Sequence, residues 1–140
     1  MELIVDANEL FSAIIAKGRG LRTKKLDILF SDKVYLFSPS LLFYELEKNR
    51  GIIKEKAGFS DEDFEVFMEI LKLRITIVPL DELAGTLLEA IRICPHSKDI
   101  PYFAAALMRK CPVWSGDKAL KKQKIVEIFN TLELTEKFKL

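Results

Sequence analysis

The amino-acid sequence predicts an α/β protein with a mostly parallel central sheet of four to five strands and helices on both faces. Three observations predict it. Short continuous runs of β-branched residues and leucine recur along the chain, as in strands buried on both faces. Helically spaced apolar stretches separate these runs, so successive strands are joined by crossovers, and crossovers make a sheet parallel. Hydrophobic residues make up 49% and charged residues 31% of the 140 residues. That balance supplies a core and a solvated surface for a single domain over 1–140.

Each element has its own signal. LIVD (3–6) is the first strand, and ANELFSAIIAKG (7–18) has helical spacing that ends at a glycine. VYLFS (34–38), ITIVP (75–79), CPVWS (111–115) and VEIF (126–129) are the further strand candidates. Pro39 is expected to open a helix running towards Gly51. Ser60 and Asp63 form a capping-box pattern before DFEVFMEILKL. DELAGTLLEAIRI (81–93) begins acidic, as helix starts prefer. Pro101 suits the first turn of a helix over DIPYFAAALMRK, and the run Ala104 to Ala106 lets that helix approach the sheet. KALKKQ (118–123) is expected to form a short helix before the last strand.

Composition removes several function classes. The net charge of +1 gives no global attraction to nucleic acid or to an anionic membrane. No apolar run approaches the roughly 18 residues of a membrane span, and MELIVDANEL does not read as a signal peptide, so a cytoplasmic protein without membrane contact is expected. Cys94 and Cys111 have only His96 as a nearby nitrogen donor, too few ligands for zinc; both are expected to be buried small apolar residues. A single histidine, expected in a loop, also disfavours Ser-His-Asp or Cys-His catalysis.

Ligands of open parallel sheets bind beyond the carboxyl ends of the strands. Asp6 ends the first strand and Asp117 follows the PVWS strand. Asp117 has a rival reading as the N-cap of the segment after it. Glu45 falls on an apolar stripe with Leu41, Leu42, Asn49 and Ile52, where an ionised carboxylate needs a divalent cation, a salt bridge or a place on the rim. Asp99 stands at a helix start, either stabilised by the helix dipole or turned towards a site. If the four converge, their charges require cations, and oxygen donors without His or Cys suit Mg²⁺ or Mn²⁺.

The contexts IVDANELF, LLFYELEKN, DIPYFAAAL and VWSGDKAL, in that order over nearly the whole chain, resemble the PIN-domain nucleases, particularly the small free-standing VapC-type toxins. The resemblance implies a metal-dependent endoribonuclease whose acids correspond to Asp6, Glu45, Asp99 and Asp117, with supporting roles for Asn8 and Ser115. It also implies an RNA substrate, a homodimer and an antitoxin partner. Two positions depart from the family's pattern: Ala7 stands where many members have Thr or Ser, and Lys98 where some carry another acid.

On this reading Asp6 and Asp117 are the most direct metal ligands, Asp99 acts partly through water, and Glu45 orients the attacking water or joins a second ion. Ser115 would hydrogen-bond a ligand carboxylate, Asn8 would fix Asp6, and Gly116 would let the backbone approach the substrate. Lys118, Lys121 and Lys122, or Lys17, Arg19, Arg22, Lys24 and Lys25, would meet phosphates. The helix DEDFEVFMEILKL would offer an apolar face to a partner or to the core. Two other classes stand beside this one. A PIN-like RNA- or protein-binding scaffold would use the acids as caps and surface charges. A phosphatase working through an aspartyl-phosphate would need a second Asp that DAN lacks.

Overall fold

The computed structural model describes the backbone of residues 1–15 and 19–140, and the side chains of 1–15 and 24–140. Its elements run β1 (Glu2–Val5), α1 (Ala7–Ile15), α2 (Arg19–Leu29), β2 (Tyr35–Pro39), α3 (Leu41–Lys48), α4 (Arg50–Ala57), α5 (Asp61–Arg74) and β3 (Ile75–Val78). They continue with α6 (Leu80–Leu83), α7 (Leu87–Ile93), α8 (Ile100–Arg109), β4 (Val113–Trp114), β5 (Ile128–Phe129) and α9 (Thr131–Phe138). Two 3₁₀ turns, Ser97–Asp99 and Lys118–Lys122, precede α8 and follow β4.

The five strands are all parallel in the order β3-β2-β1-β4-β5. β1 is central, and Leu3, Ile4 and Val5 are wholly buried, which accounts for its unbroken apolar run. The chain leaves β1 towards β2 and β3, then returns on the other side of β1 to add β4 and β5. The strand order therefore reverses at β1, and the crevice beyond its carboxyl end is where such sheets bind ligands. Asp6 is the first residue past β1, Ser40 lies past β2, and Ser115 to Asp117 lie past β4.

Helix α8 covers β1, β2 and β4. Its Ala104, Ala105 and Ala106 are buried against the sheet, the close approach that small side chains permit. Trp114 is wholly buried, and its indole N–H donates to Thr131 Oγ1 at 3.1 Å. An interior indole finds a partner in this way. Helix α5 opens with the expected capping box, Ser60 accepting from the Asp63 amide and Asp63 from the Ser60 amide.

Several sequence expectations are corrected. Pro39 ends β2, and the helix after it breaks at Asn49, whose backbone (φ −100°, ψ 17°) is non-helical, so Gly51 lies inside α4. The apolar stripe lies about one residue on from the expected one: Leu42, Leu46 and Ile53 are buried, whereas Ile52 is exposed. Gly85 interrupts 81–93, leaving α6 and α7 joined by a turn in which Thr86 Oγ1 donates to Ala104 O at 2.7 Å. The segment after Asp117 is a 3₁₀ turn, and α9, missed in the sequence, is capped by Asn130 and Glu133. Cys94 and Cys111 are free and half-buried; burial pushes the Cys111 thiol up to about 11. The expected end of the first helix at Gly18 lies outside the described residues. Among the described residues no helix is long and apolar enough to cross a membrane.

Candidate active site

Asp6 is 6% exposed. The Asn8 backbone N–H donates to its Oδ1 at 3.3 Å, and Ser115 Oγ donates to its Oδ2 at 3.4 Å. These long bonds offset little of the desolvation. Burial pushes Asp6 up to about 6; the Asn8 N–H works against this, and the charges of Asp99, Glu45 and Glu9 add to it. Asn8 therefore acts on Asp6 through its backbone while its side chain is exposed. An amide two residues on is the natural donor where a strand turns into a helix.

Asp99 enters from the other side. It ends the 3₁₀ turn before α8, is 6% exposed, and its Oδ2 is buried without a hydrogen-bond partner among the described residues. Burial raises its pKa, Lys98 lowers it, Asp117 raises it and His96 lowers it. Glu45, on α3, is half-buried at the edge of the helix's apolar stripe. Burial raises its pKa too; Tyr102, whose hydroxyl donates to Glu45 Oε2 at 3.4 Å, opposes the rise, and Asp99 adds to it. The Tyr102 phenol is itself raised, by burial first and then by the charges of Glu45 and Asp6.

Asp117 is more open. Its Oδ1 accepts from the Ala119 amide at 3.0 Å, so it does cap the turn after it, and its Oδ2 faces His96 Nε2 at 3.7 Å. Ser115 is buried, and its hydroxyl both donates to Asp6 and accepts from the Asp117 amide at 3.2 Å. The four sequence-named acids are linked in a chain by their charges: Asp6 with Asp99 and Glu45, Glu45 with Asp99, and Asp99 with Asp117. They do not form a ready-made chelate. Among the described residues no three His, Cys, Asp or Glu side chains are close enough to hold a metal ion as they stand.

One acid escaped the sequence reading. Glu9, in the first turn of α1, is 4% exposed and accepts from the Gly116 amide at 2.8 Å. Its other oxygen pairs with Lys25 Nζ at 2.7 Å and accepts from Thr131 Oγ1 at 3.4 Å. Lys25 is consequently buried and bound, not a phosphate-facing cation. Lys121 is paired with Glu133, whereas Lys118 and Lys122 are exposed. Lys17 and the side chains of Arg19 and Arg22 lie outside the described residues. Gly116, expected to bring backbone to substrate, is exposed with its N–H turned onto Glu9. A cavity of about 280 Å³ flanks the turn, lined by Ser115, Gly116, Asp117, Lys118, Lys121 and Asn130.

None of the curated proteins matches the chain in sequence. The family description PIN domain matches residues 4–134, from the middle of β1 into α9, and so includes every acid of the crevice. With a parallel α/β sheet, a crevice at its reversal point and a family match over nearly all its length, the chain belongs to the PIN-domain family, whose members are generally nucleases that use divalent metal ions.

Proposed function

We propose that this protein is a divalent-metal-dependent endoribonuclease in which Asp6, Glu45, Asp99 and Asp117 hold Mg²⁺ or Mn²⁺ against a phosphodiester of RNA. The observation that carries the reading is Asp99 Oδ2, a buried carboxylate oxygen without a partner among the described residues, beside Asp6 and Glu45, whose pKa values burial and neighbouring carboxylates likewise raise. A buried polar atom left unpaired costs about 1–3 kcal/mol, more when charged, and a cation at the crevice removes that cost. The all-oxygen donor set suits Mg²⁺ or Mn²⁺. Closing a coordination shell requires these side chains to move from their present positions.

A divalent ion, when bound, supplies positive charge to the phosphate and lowers the pKa of a water. The protein's own groups do the rest. Ser115 and the Asn8 amide orient Asp6, Tyr102 orients Glu45, and the turn after β4 presents Asp117. Lys118 and Lys122, exposed beside Asp117, meet the flanking phosphates. In this reading the chain is one domain and the toxin of a toxin-antitoxin pair. Val66, Ile70 and Leu73, exposed along α5, are the apolar surface that an antitoxin or a second copy would cover.

Incubation with a mixed RNA pool tests substrate and cofactor together. Cleavage is expected with Mg²⁺ or Mn²⁺ and not with EDTA, and is expected to be lost in Asp6→Asn with Asp117→Asn. The Asp117 cap on Ala119 favours the scaffold reading instead. Absence of both cleavage and any Mn²⁺-dependent rise in melting temperature in the native protein would establish that reading.

A further inference from the structure

We propose that Glu9, with Lys25 as its counter-ion, is the positioning residue of this site: it fixes the Gly116 amide and thereby the turn that carries Ser115 and Asp117. The inference rests on the nuclease reading for the turn's purpose, but not for its geometry. Strand β4 is two residues long, so the ladder alone holds the turn weakly. Glu9 Oε1 accepts from Gly116 N at 2.8 Å between the two residues that matter: Ser115, bonded to Asp6, and Asp117.

The carboxylate is itself held from every side. Lys25 of α2 reaches Oε2 at 2.7 Å and also donates to Ser12 Oγ at 2.6 Å, and Ser12 donates to Asn8 O at 2.8 Å. Thr131 of α9 bonds the same oxygen at 3.4 Å while accepting from the Trp114 indole. One buried charge therefore joins α1, α2, α9 and the end of β4. After desolvation, an ion pair this deep contributes little net stability, and what it supplies here is a fixed geometry. Because Asp6 and Glu9 sit three residues apart where β1 becomes α1, the network holds Asp117 in register with Asp6. Gly116 completes the fit, since a Cβ there would stand 3.3 Å from Glu9 Oε1.

Two double variants isolate the hydrogen bond from the charge. Glu9→Gln with Lys25→Met keeps an acceptor for Gly116; Glu9→Ala with Lys25→Met does not. In the metal-free protein, hydrogen exchange of the Gly116 amide is expected to stay slow in the first and become fast in the second. Mn²⁺ affinity, read by titration, is expected to stay within about threefold of wild type in the first and to fall about 10- to 100-fold in the second, the usual effect of losing an outer-shell partner. RNA cleavage should follow through kcat with KM nearly unchanged.

Equal behaviour of the two variants, or wild-type affinity in the alanine variant, overturns the proposal. If the alanine variant does not fold, Gly116→Ala decides. It keeps both charges but sets a Cβ 3.3 Å from Glu9 Oε1, so carboxylate and amide must separate; affinity is expected to drop several-fold, and an unchanged value overturns the proposal. If wild-type protein neither binds Mn²⁺ nor cleaves RNA, the nuclease reading fails; Gly116 exchange still decides whether Glu9 fixes the turn.

Discussion

Asp6→Asn should stabilise the metal-free protein, although it removes a residue assigned to the site. Burial and the neighbouring acids move the Asp6 carboxyl from an ordinary 3.8 to about 6. That interval spans a little over two decades of pH at about 1.4 kcal/mol each, so an ionised Asp6 opposes folding by about 3 kcal/mol. The sign follows from proton counts. Between 3.8 and about 6 the unfolded chain has lost the proton that the folded chain keeps, so stability falls as pH rises through that window and is level above it. Asparagine carries no charge and retains an acceptor for the Asn8 amide. At pH 7.5 without metal its melting temperature should exceed wild type by roughly 10 °C, since each kcal/mol is worth about 3–4 °C at this size. At pH 4 the gap should shrink below about 1 kcal/mol. Mn²⁺ at about one thousand times Kd should reverse the order, since it stabilises wild type by about 4.1 kcal/mol. Calorimetry at both pH values, with and without Mn²⁺, reads all of this. A metal-free Asp6→Asn protein no more stable than wild type at pH 7.5, or equally shifted at pH 4, would refute the burial argument.

Tyr102→Phe removes the donor that opposes the rise of Glu45, so Glu45 should hold its proton to higher pH and the midpoint of Mn²⁺ binding against pH should move upward; an unmoved midpoint counts against Glu45 as a ligand. Lys118→Ala with Lys122→Ala should weaken RNA binding evenly across sequences and lower the slope of log K against log salt by roughly 1 per lysine, measured by fluorescence anisotropy. Ser60→Ala breaks the α5 capping box and should cost about 1 kcal/mol in urea unfolding while leaving RNA cleavage unchanged.

Strands, crossovers and the capping box were legible because each is written locally: β1 as an apolar run, α5 as Ser60 and Asp63, α8 as Pro101 before its alanines. The strand ends were legible for the same reason, and with them Asp6 and Asp117. Glu45 lies on the expected helix but at the edge of its apolar stripe, because that stripe runs through Leu42, Leu46 and Ile53, about one residue on from the one read through Leu41 and Ile52. Helix α9 was obscured by a two-residue β5, too short to announce the element after it, although Asn130 and Glu133 are a readable capping pair. Glu9 was hidden more deeply. In sequence it is an acid in a helix's first turn, and Lys25 is one of several basic residues; their pairing joins two helices and depends on how these cross.

Glu9 also supplies a comparison for Asp6 and Asp99, the buried acids proposed as metal ligands. Burial alone does not mark an acid for function, because a fold that buries a carboxylate can equally supply its partners. Around Glu9 it has done so, with an ammonium, an amide and a hydroxyl on two oxygens. Among the described residues, Asp6, three positions before Glu9, receives two long hydrogen bonds and Asp99 leaves an oxygen with none. Both are as buried as Glu9 to within a few per cent, so the difference is not one of depth. Folding stability would favour treating all three alike. The unequal treatment is what a site needs whose missing positive charge arrives from outside the chain, and the reversed stability order of Asp6→Asn with and without Mn²⁺ is its direct consequence.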